Sequence, residues 1–221
     1  TPIPTTSSYI SEGGRTNYLL WARDLTDAAW VKTNATPAKN QIGIDGVANS
    51  ASSLTATAAN GTALQSLTRS SANRITGFYV KRITGTGTIE ITQDNGTTWT
   101  NITSLINSST YTRVATAAQT IANPVIGVRI ATSGDAIAVD AGQHEEAAFL
   151  SSVILTTSAA VTRNGDALSF ATNVPQRRGA ILATVMSLDP TSDSTYYPRI
   201  LSDQSGNGRL GIRSSASNGF V

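Results

Sequence analysis

His144 is the single histidine of the chain and lies beside two carboxylates, Glu145 and Glu146. A serine-hydrolase triad needs an imidazole next to a positioned nucleophile, and the sequence has no Gly-x-Ser-x-Gly segment to present one. A zinc site needs three or four nitrogen, sulfur or carboxylate ligands, and the chain has no cysteine. His144 is therefore predicted to be a polar residue near a strand end, without a catalytic or metal-binding role.

Paired carboxylates could hydrolyse a glycosidic bond if two of them met in one cleft. The candidate pairs are Asp24 with Asp27 and Asp140 with Glu145, but no sequence pattern makes either pair converge. Asp24 and Asp27 lie among turn-forming residues and are predicted to cap a short turn. No loop has the ligand spacing of a calcium site. We predict no catalytic residue, no metal site and no cofactor.

The segment from Thr92 to Trp99 combines a turn with an aromatic residue. It reads Thr-Gln-Asp-Asn-Gly-Thr-Thr-Trp between alternating apolar segments, which predicts a β-hairpin. A turn aspartate can accept backbone hydrogen bonds, and glycine can adopt a positive φ. The segment resembles the Asp-box, Ser/Thr-x-Asp-x-Gly-x-Thr-Trp. Asp94, Gly96 and Trp99 are therefore predicted to form a structural turn, and one such box does not indicate a sialidase.

Aromatic side chains at the surface could stack on sugar rings. Aromatic residues make up only 6% of the chain, so most of them are expected in the core. Trp99 and Tyr111 are predicted to be the glycan-stacking residues. The wider set of candidates is Trp21, Trp30, Tyr79, Trp99 and Tyr111.

The composition favours an all-β fold. Thr and Ser are abundant, and no segment has the apolar spacing of a long helix. Charged residues are 14% of the chain and the net charge is +2, with Lys and Arg scattered along it. Such a charge does not indicate a nucleic-acid partner. No apolar run approaches the roughly 18 residues of a membrane span, so membrane insertion is not expected.

Short alternating segments recur at the spacing of β-sandwich strands. The predicted strands cover 75–83, 88–92, 98–102, 111–116, 125–131 and 136–143. Residues 33–62 are rich in Ala, Thr, Asn and Gly and predict short strands at best. Residues 17–30 predict an apolar strand followed by a short helical turn.

The chain is predicted to contain one whole β-sandwich module and part of another. Residues 1–14 form an extended lead-in, 15–163 the first module, and 164–221 the start of a second, with strands at 168–170, 180–186, 199–201 and 210–212. So short a second region buries too little surface to fold alone. We therefore expect it to be truncated or completed by another chain.

A Thr-Thr-Ser step occurs twice, at Thr5 and at Thr156, and each copy is followed by an arginine, Arg15 and Arg163 respectively. Both copies precede a new apolar segment. Repeats of this kind are typical of modular proteins. We interpret the two copies as joints between modules.

Several separated phrases resemble a module of bacteriophage tail and other virion structural proteins. They are Arg15–Trp30, Gly77–Lys81, Asp140–Glu145 and the Thr-Thr-Ser-Ala-Ala-Val-Thr-Arg joint at 156–163. The chain departs from that family at His144, where the family has leucine, and at 152–155, which lack the usual proline. The resemblance implies a jelly-roll sandwich similar to carbohydrate-binding modules. The phrases at 199–203 and 206–210 resemble part of a concanavalin-type lectin sandwich.

These observations predict a non-enzymatic structural component of a bacteriophage virion, in a tail, fibre or head appendage. Its expected partners are other virion proteins, further copies of itself and a host surface glycan, and its expected location is the extracellular particle. One alternative is a carbohydrate-binding accessory module of a secreted bacterial glycan-degrading enzyme. A bacterial surface adhesin would share the same fold.

Overall fold

The computed structural model describes residues 12–166, 199–202 and 209–211. The chain divides into two compact units, one of residues 14–164 and one of residues 1–13 with 165–221. The first module predicted from the sequence spans residues 15–163. The first Thr-Thr-Ser copy and the predicted strands at 168–170 and 180–186 lie outside the described residues.

The described part of the chain is built from strands and turns, without a helix. In chain order the strands of the larger unit are β1 (Arg15–Asn17), β2 (Val31–Thr33), β3 (Ala35–Gln41), β4 (Ala51–Ala56), β5 (Gly61–Ser66), β6 (Ala72–Thr84), β7 (Ile89–Thr92), β8 (Thr100–Asn101), β9 (Thr112–Ala115), β10 (Gln119–Ile121), β11 (Val125–Ile130), β12 (Ala136–Glu145) and β13 (Val161–Arg163).

Two antiparallel sheets form the body of this unit. The five-stranded sheet has the order β2-β5-β11-β7-β8, and the six-stranded sheet has the order β3-β4-β12-β6, with β9 and β10 both paired to β6. Neighbouring strands are often distant in sequence, so the chain crosses repeatedly between the sheets. This arrangement confirms the predicted all-β jelly-roll sandwich.

The core lies between the two sheets and draws side chains from both. Ile89, Ile91 and Val128 come from the five-stranded sheet, and Phe78 and Val139 from the six-stranded sheet; all are buried. Because side chains alternate along a strand, the neighbours Tyr79 and Glu90 face outward. Each sheet therefore has an outer face on which polar side chains can be displayed.

The alternating segments between residues 75 and 143 form strands as predicted, but two earlier predictions are wrong. Residues 18–30 form turns and bends rather than an apolar strand with a helical turn. Residues 33–62 contain two full strands of seven and six residues, β3 and β4, and the first two residues of β5. Of these, β4 pairs with both β3 and β12 within the six-stranded sheet.

The second Thr-Thr-Ser copy, residues 156–163, is part of the larger unit. Its last residues form β13, which pairs with β1 in the register Arg15↔Arg163 and Thr16↔Thr162. The Thr16 and Thr162 hydroxyl oxygens lie 2.7 Å apart. Residues 156–163 therefore close the module by pairing its two ends.

In the other unit, the structure describes an antiparallel pair, β14 (Arg199–Ser202) and β15 (Arg209–Gly211). These strands agree with those predicted at 199–201 and 210–212.

Candidate functional site

Trp21 has a backbone conformation that is rare for a bulky residue. Its φ is +50°, in the left-handed region where residues other than glycine are strained by about 1–3 kcal/mol. The surrounding chain holds it there: Trp21 N–H donates to the Thr157 carbonyl at 2.8 Å, and Asp24 N–H donates to the Trp21 carbonyl at 3.0 Å. The indole N–H of buried Trp30 donates to that same carbonyl at 3.3 Å. These bonds fix the backbone from which the partly exposed indole projects.

The Trp21 side chain lines a cavity of about 240 Å³ at the surface of the larger unit. The cavity combines an aromatic ring, aliphatic side chains, hydroxyls and charged groups, as small-molecule sites commonly do. Its lining residues are Trp21, Arg23, Asp24, Lys39, Leu155, Thr156, Thr157 and Val161. Leu155 and Val161 are 44% and 40% exposed, so solvent reaches this apolar wall.

Asp24 and Lys39 place an ion pair at the cavity. The Lys39 ammonium lies 3.2 Å from Asp24 Oδ2, while Asp24 Oδ1 accepts hydrogen bonds from the N–H and hydroxyl of Thr26. Asp27 Oδ1 accepts a bond from Ala29 N–H at 2.8 Å. The two aspartates thus stabilise turns, as predicted, and Asp24 also contributes to the cavity wall.

Arg23 connects the cavity to the outer face of the six-stranded sheet. Its guanidinium donates to both oxygens of Asp140 on β12, at 2.7 and 3.0 Å, and to Asp45 Oδ2 at 2.6 Å. Hydrogen bonds with Asp45 and Asp140 raise the pKa of Arg23, and the same contact with Arg23 lowers the pKa of Asp45. Ile44 N–H donates to Asp140 Oδ2 at 2.7 Å, so segment 42–50 is held above this sheet.

The two predicted glycan-stacking residues lie on opposite sides of the sandwich. Trp99 directly precedes β8 of the five-stranded sheet and contacts Arg129 on its outer face. Tyr111 directly precedes β9 of the six-stranded sheet and contacts Lys81 on that outer face. The structure therefore does not bring Trp99 and Tyr111 into one stacking platform.

Trp99 is covered by its own hairpin and by a cation. The guanidinium carbon of Arg129 lies 4.2 Å from the ring centroid, and Arg129 also pairs with Glu90 at 2.5 Å. Gly96 lies against the ring: a Cβ added there would lie 2.8 Å from Trp99 Cζ2. These neighbours reduce the ring surface left for a sugar.

The turn before Trp99 is closed by the side chains of Thr92 and Asp94. The Thr92 hydroxyl donates to Asp94 Oδ1 at 2.9 Å and accepts a bond from Gly96 N–H at 3.0 Å, and Thr98 N–H donates to Asp94 Oδ1 at 2.9 Å. Asn95 and Gly96 have φ values of +61° and +75°. Asp94 accordingly serves as a hydrogen-bond acceptor for its own loop.

Tyr111 is half-buried between a strand and segment 42–50. Its hydroxyl donates to the Ile42 carbonyl at 3.0 Å, and the Lys81 ammonium lies 5.0 Å from its ring centroid. Burial, assisted by the charge of Asp140, raises the pKa of Tyr111 to about 12. The Tyr111 hydroxyl therefore helps to hold segment 42–50 in place and is not free to bind a ligand.

Of the remaining aromatic candidates, Trp30 is 1% exposed and packs in the core against Phe78, with ring centroids 6.4 Å apart. Tyr79 is half-buried on the outer face of the six-stranded sheet, where the Arg113 guanidinium lies 5.7 Å from its ring centroid. Trp30 is therefore a core residue, whereas Trp21, Tyr79, Trp99 and Tyr111 are partly exposed.

His144 is the penultimate residue of β12 and so lies near a strand end, as predicted, but it is fully buried. Its Nδ1 lies 2.7 Å from the Thr76 hydroxyl, whereas Nε2 is buried without a hydrogen-bond partner. Burial, with smaller effects from Arg74 and Arg69, lowers the pKa of His144 to about 3. The imidazole is therefore a neutral interior group at physiological pH.

Asp140 and Glu145 do not meet in a cleft. Asp140 is bound by Arg23, while Glu145 accepts bonds from the Ser151 hydroxyl at 2.5 Å and the Gln143 amide at 2.7 Å. Glu145 is fully buried. Each carboxylate is occupied by its own local donors, which leaves neither placed for acid–base work on a shared substrate.

Across the described ranges, no group of three or more His, Asp or Glu side chains is arranged to hold a metal ion. The same part of the chain has no helix that is long and apolar enough to cross a bilayer.

No family model and no curated protein matches this chain. Two of the solved structures to which this chain is similar are carbohydrate-binding modules. One is the C-terminal CBM6 of LamC, a marine laminarinase from Zobellia galactanivorans, with a TM-score of 0.38 and 9% identity over 61% of this chain and 100% of that one. The other is a family 11 carbohydrate-binding module from Clostridium thermocellum in complex with a β-1,3-1,4-mixed-linked tetrasaccharide, with a TM-score of 0.36 and 13% identity over 68% of this chain and 99% of that one. These likenesses concern the fold alone.

Most of the cavity was not predicted from the sequence. Trp21 was one of the aromatic candidates, but no role was predicted for Arg23, Lys39 or Thr157. The cavity joins residues near 21, 39 and 156, and sequence spacing does not reveal that contact. The repeated Thr-Thr-Ser step did mark the segment that forms one wall.

Proposed function

We propose that this chain is a non-enzymatic structural component of a bacteriophage virion and that its sandwich module binds a host surface glycan at the Trp21 cavity. The cavity carries the binding part of the proposal. The setting in a virion is supported by the ordered sequence phrases that resemble virion structural proteins.

The chemistry of the cavity suits a sugar. An indole ring can stack on the C–H face of a pyranose, while the exposed Thr157 hydroxyl and the Asp24–Lys39 pair offer donors and acceptors for sugar hydroxyls. Its volume of about 240 Å³ is below the several hundred Å³ typical of drug-sized sites. We therefore expect it to hold a single monosaccharide unit, with the rest of the glycan outside.

Pre-organisation supports binding at Trp21. Its strained backbone is held by three hydrogen bonds, from Trp21 N–H and to its carbonyl. A backbone that is fixed before binding loses little conformational entropy when a ligand arrives. By contrast, the Trp99 ring is already covered by Arg129 and Gly96.

A glycan array of neutral oligosaccharides tests the binding part. We expect Trp21→Ala to abolish binding of any glycan that the native protein retains, and Trp99→Ala to leave it unchanged. Trp99 is a matched control because it is also half-buried and lies outside the cavity. Binding that survives Trp21→Ala but fails in Trp99→Ala would contradict the proposed site.

Mass spectrometry of purified phage particles tests the setting. Peptides of this chain in intact particles would support the virion assignment. The alternative, an accessory module of a secreted glycan-degrading enzyme, uses the same cavity. It predicts hydrolase genes beside this gene and no peptide in particles.

A further inference from the structure

Two cation–aromatic pairs lie side by side on the outer face of the six-stranded sheet. Tyr79 on β6 is the cross-strand partner of Arg113 on β9, and the Arg113 guanidinium lies 5.7 Å from the Tyr79 ring centroid. The Lys81 ammonium lies 5.0 Å from the ring centroid of Tyr111. We call these four residues the basic strip.

The geometry of the two strands directs the strip outward. Phe78 and Val80 are buried in the core. Because side chains alternate along a strand, Tyr79 and Lys81 point to the opposite, outer face. Residues two apart on a strand are separated by about 7 Å. The strip therefore presents two cations, each with a phenol ring, in consecutive rows, and all four side chains are partly exposed.

The charges of the strip are not neutralised by nearby carboxylates. Within the described ranges, neither Lys81 nor Arg113 forms an ion pair, whereas Arg23, Arg74, Arg82 and Arg129 each contact an Asp or Glu. The carboxylate that faces Tyr79 across the sheet is Asp140 on β12, and Arg23 already binds both of its oxygens. The strip thus keeps two positive charges for an external partner.

Backbone acceptors hold the strip in place at both ends. The Tyr111 hydroxyl donates to the Ile42 carbonyl at 3.0 Å, and Arg113 Nη2 donates to the Ser151 carbonyl at 2.6 Å. Leu150 lies directly over Gly77 in the row before Tyr79, because a Cβ on Gly77 would lie 2.2 Å from Leu150 Cδ1. Segments 42–50 and 149–152 therefore flank the strip as two walls.

We infer that the basic strip binds an acidic polysaccharide, with carboxylate or sulfate groups at Lys81 and Arg113 and sugar rings against Tyr79 and Tyr111. Charge-assisted hydrogen bonds to anionic groups are about twice as strong as neutral ones, and the phenols add C–H stacking surface. The strip shares no residue with the Trp21 cavity, so this inference goes beyond the proposed function and stands independently of it.

An acidic polysaccharide fits the strip better than a nucleic acid does. Nucleic-acid affinity depends on neutralising many phosphates along a charged backbone, and the strip offers two cations in a chain whose net charge is only +2. Two charged rows about 7 Å apart instead match sparse anionic groups on an oligosaccharide.

Titration with size-defined oligogalacturonate, by calorimetry at low and high salt, tests the inference. We expect the native protein to bind it, with affinity falling as salt rises. Lys81→Gln and Arg113→Gln should each weaken binding at least about fivefold, because each removes one charge-assisted hydrogen bond to an anionic group of the ligand. The double variant should not bind, whereas the charge-conserving Lys81→Arg should.

The matched control is Arg69→Gln. Arg69 also lies over a tyrosine, 3.9 Å from the Tyr18 ring centroid, but Tyr18 and Arg69 are not part of the strip. This variant should bind oligogalacturonate as the native protein does, and thermal melts of all variants should show that they fold.

Three outcomes would overturn the inference: no binding of oligogalacturonate at low salt, unchanged binding by the folded double variant, or equal binding of a single-stranded thymidine oligonucleotide. Loss of neutral-glycan binding in Trp21→Ala leaves oligogalacturonate binding intact under this inference. Failure of the cavity proposal and failure of the strip are therefore distinguishable.

Discussion

Arg23 binds both carboxylate oxygens of Asp140, at 2.7 and 3.0 Å, although the two residues are 117 positions apart. Asp140 has no exposed surface, and the Arg23 side chain is 15% exposed. The pair joins the turn region after β1 to the outer face of β12. It also anchors segment 42–50, through Asp45 and through the Ile44 N–H bond to Asp140.

Arg23→Ala should destabilise the fold strongly, because it leaves a buried carboxylate without its cation. Removing one partner of a buried ion pair costs roughly 3–5 kcal/mol. Lys39→Ala, which breaks the more exposed Asp24–Lys39 pair, should cost no more than about 1 kcal/mol. Urea denaturation of both variants measures the difference. Equal losses of unfolding free energy in the two variants would show that the buried Arg23–Asp140 pair stabilises the fold no more than the more exposed Asp24–Lys39 pair.

Acid should destabilise the protein through His144. Its pKa is about 3 in the folded state and about 6.5 in an unfolded chain. Between these values the unfolded state binds more protons, so stability falls as pH drops from about 6.5 toward 3. The loss approaches about 1.4 kcal/mol per pH unit in that window.

His144→Leu isolates this contribution. Thr76 keeps a second partner in this variant, because its hydroxyl also donates to Gln93 Oε1 at 3.2 Å. We expect the difference in unfolding free energy between variant and native protein to change steadily between pH 6 and 4. A pH-independent difference in denaturation midpoints would mean that the imidazole does not titrate on unfolding.

The sequence predicted the sheets wherever large side chains alternate. Ile89 and Ile91 point into the core on either side of outward-facing Glu90, so the β7 pattern was readable. In β4 the buried residues include Ala51, Ser52 and Ser53, whose small side chains give no apolar alternation. That strand was missed because its burial comes from its place within the sheet rather than from its own hydrophobicity.

The cavity and the burial of His144 could not be predicted from the sequence, for a different reason. Both depend on contacts between distant segments: Thr157 reaches Trp21 because β13 pairs with β1, and His144 faces Thr76 through the pairing of β12 with β6. A bulge in β12, where Ala141 has a φ of +43°, separates Asp140 and Gln143 in the register. No residue type in the sequence indicates the bulge.

Gly96→Ala should cost more stability than Gly46→Ala, although the two glycines have nearly equal φ values of +75° and +77°. Both substitutions carry the left-handed backbone strain of about 1–2 kcal/mol. A Cβ at Gly46 meets no heavy atom within 4 Å, whereas one at Gly96 lies 2.8 Å from Trp99. The extra loss, measured by denaturation, should shrink in a Trp99→Ala background. If it persists there, the ring is not its cause.

Alkaline titration should reveal Tyr111 as a phenol that ionises near pH 12. Burial keeps the ionised form unfavourable, and the charge of Asp140 adds to the effect. Ultraviolet absorbance of phenolate in the native protein should therefore contain a late component that Tyr111→Phe removes.

Since an unfolded tyrosine ionises near pH 10, the unfolded state binds fewer protons than the folded state between pH 10 and 12. Stability should then fall as pH rises through this window, and less steeply in the phenylalanine variant. Tyr111→Phe also removes the hydrogen bond to the Ile42 carbonyl. The effect of losing that bond should appear as faster amide exchange confined to segment 42–50, whereas the effect of losing the titratable phenol should appear only in the pH dependence of stability. A late component unchanged in Tyr111→Phe would assign it to another tyrosine.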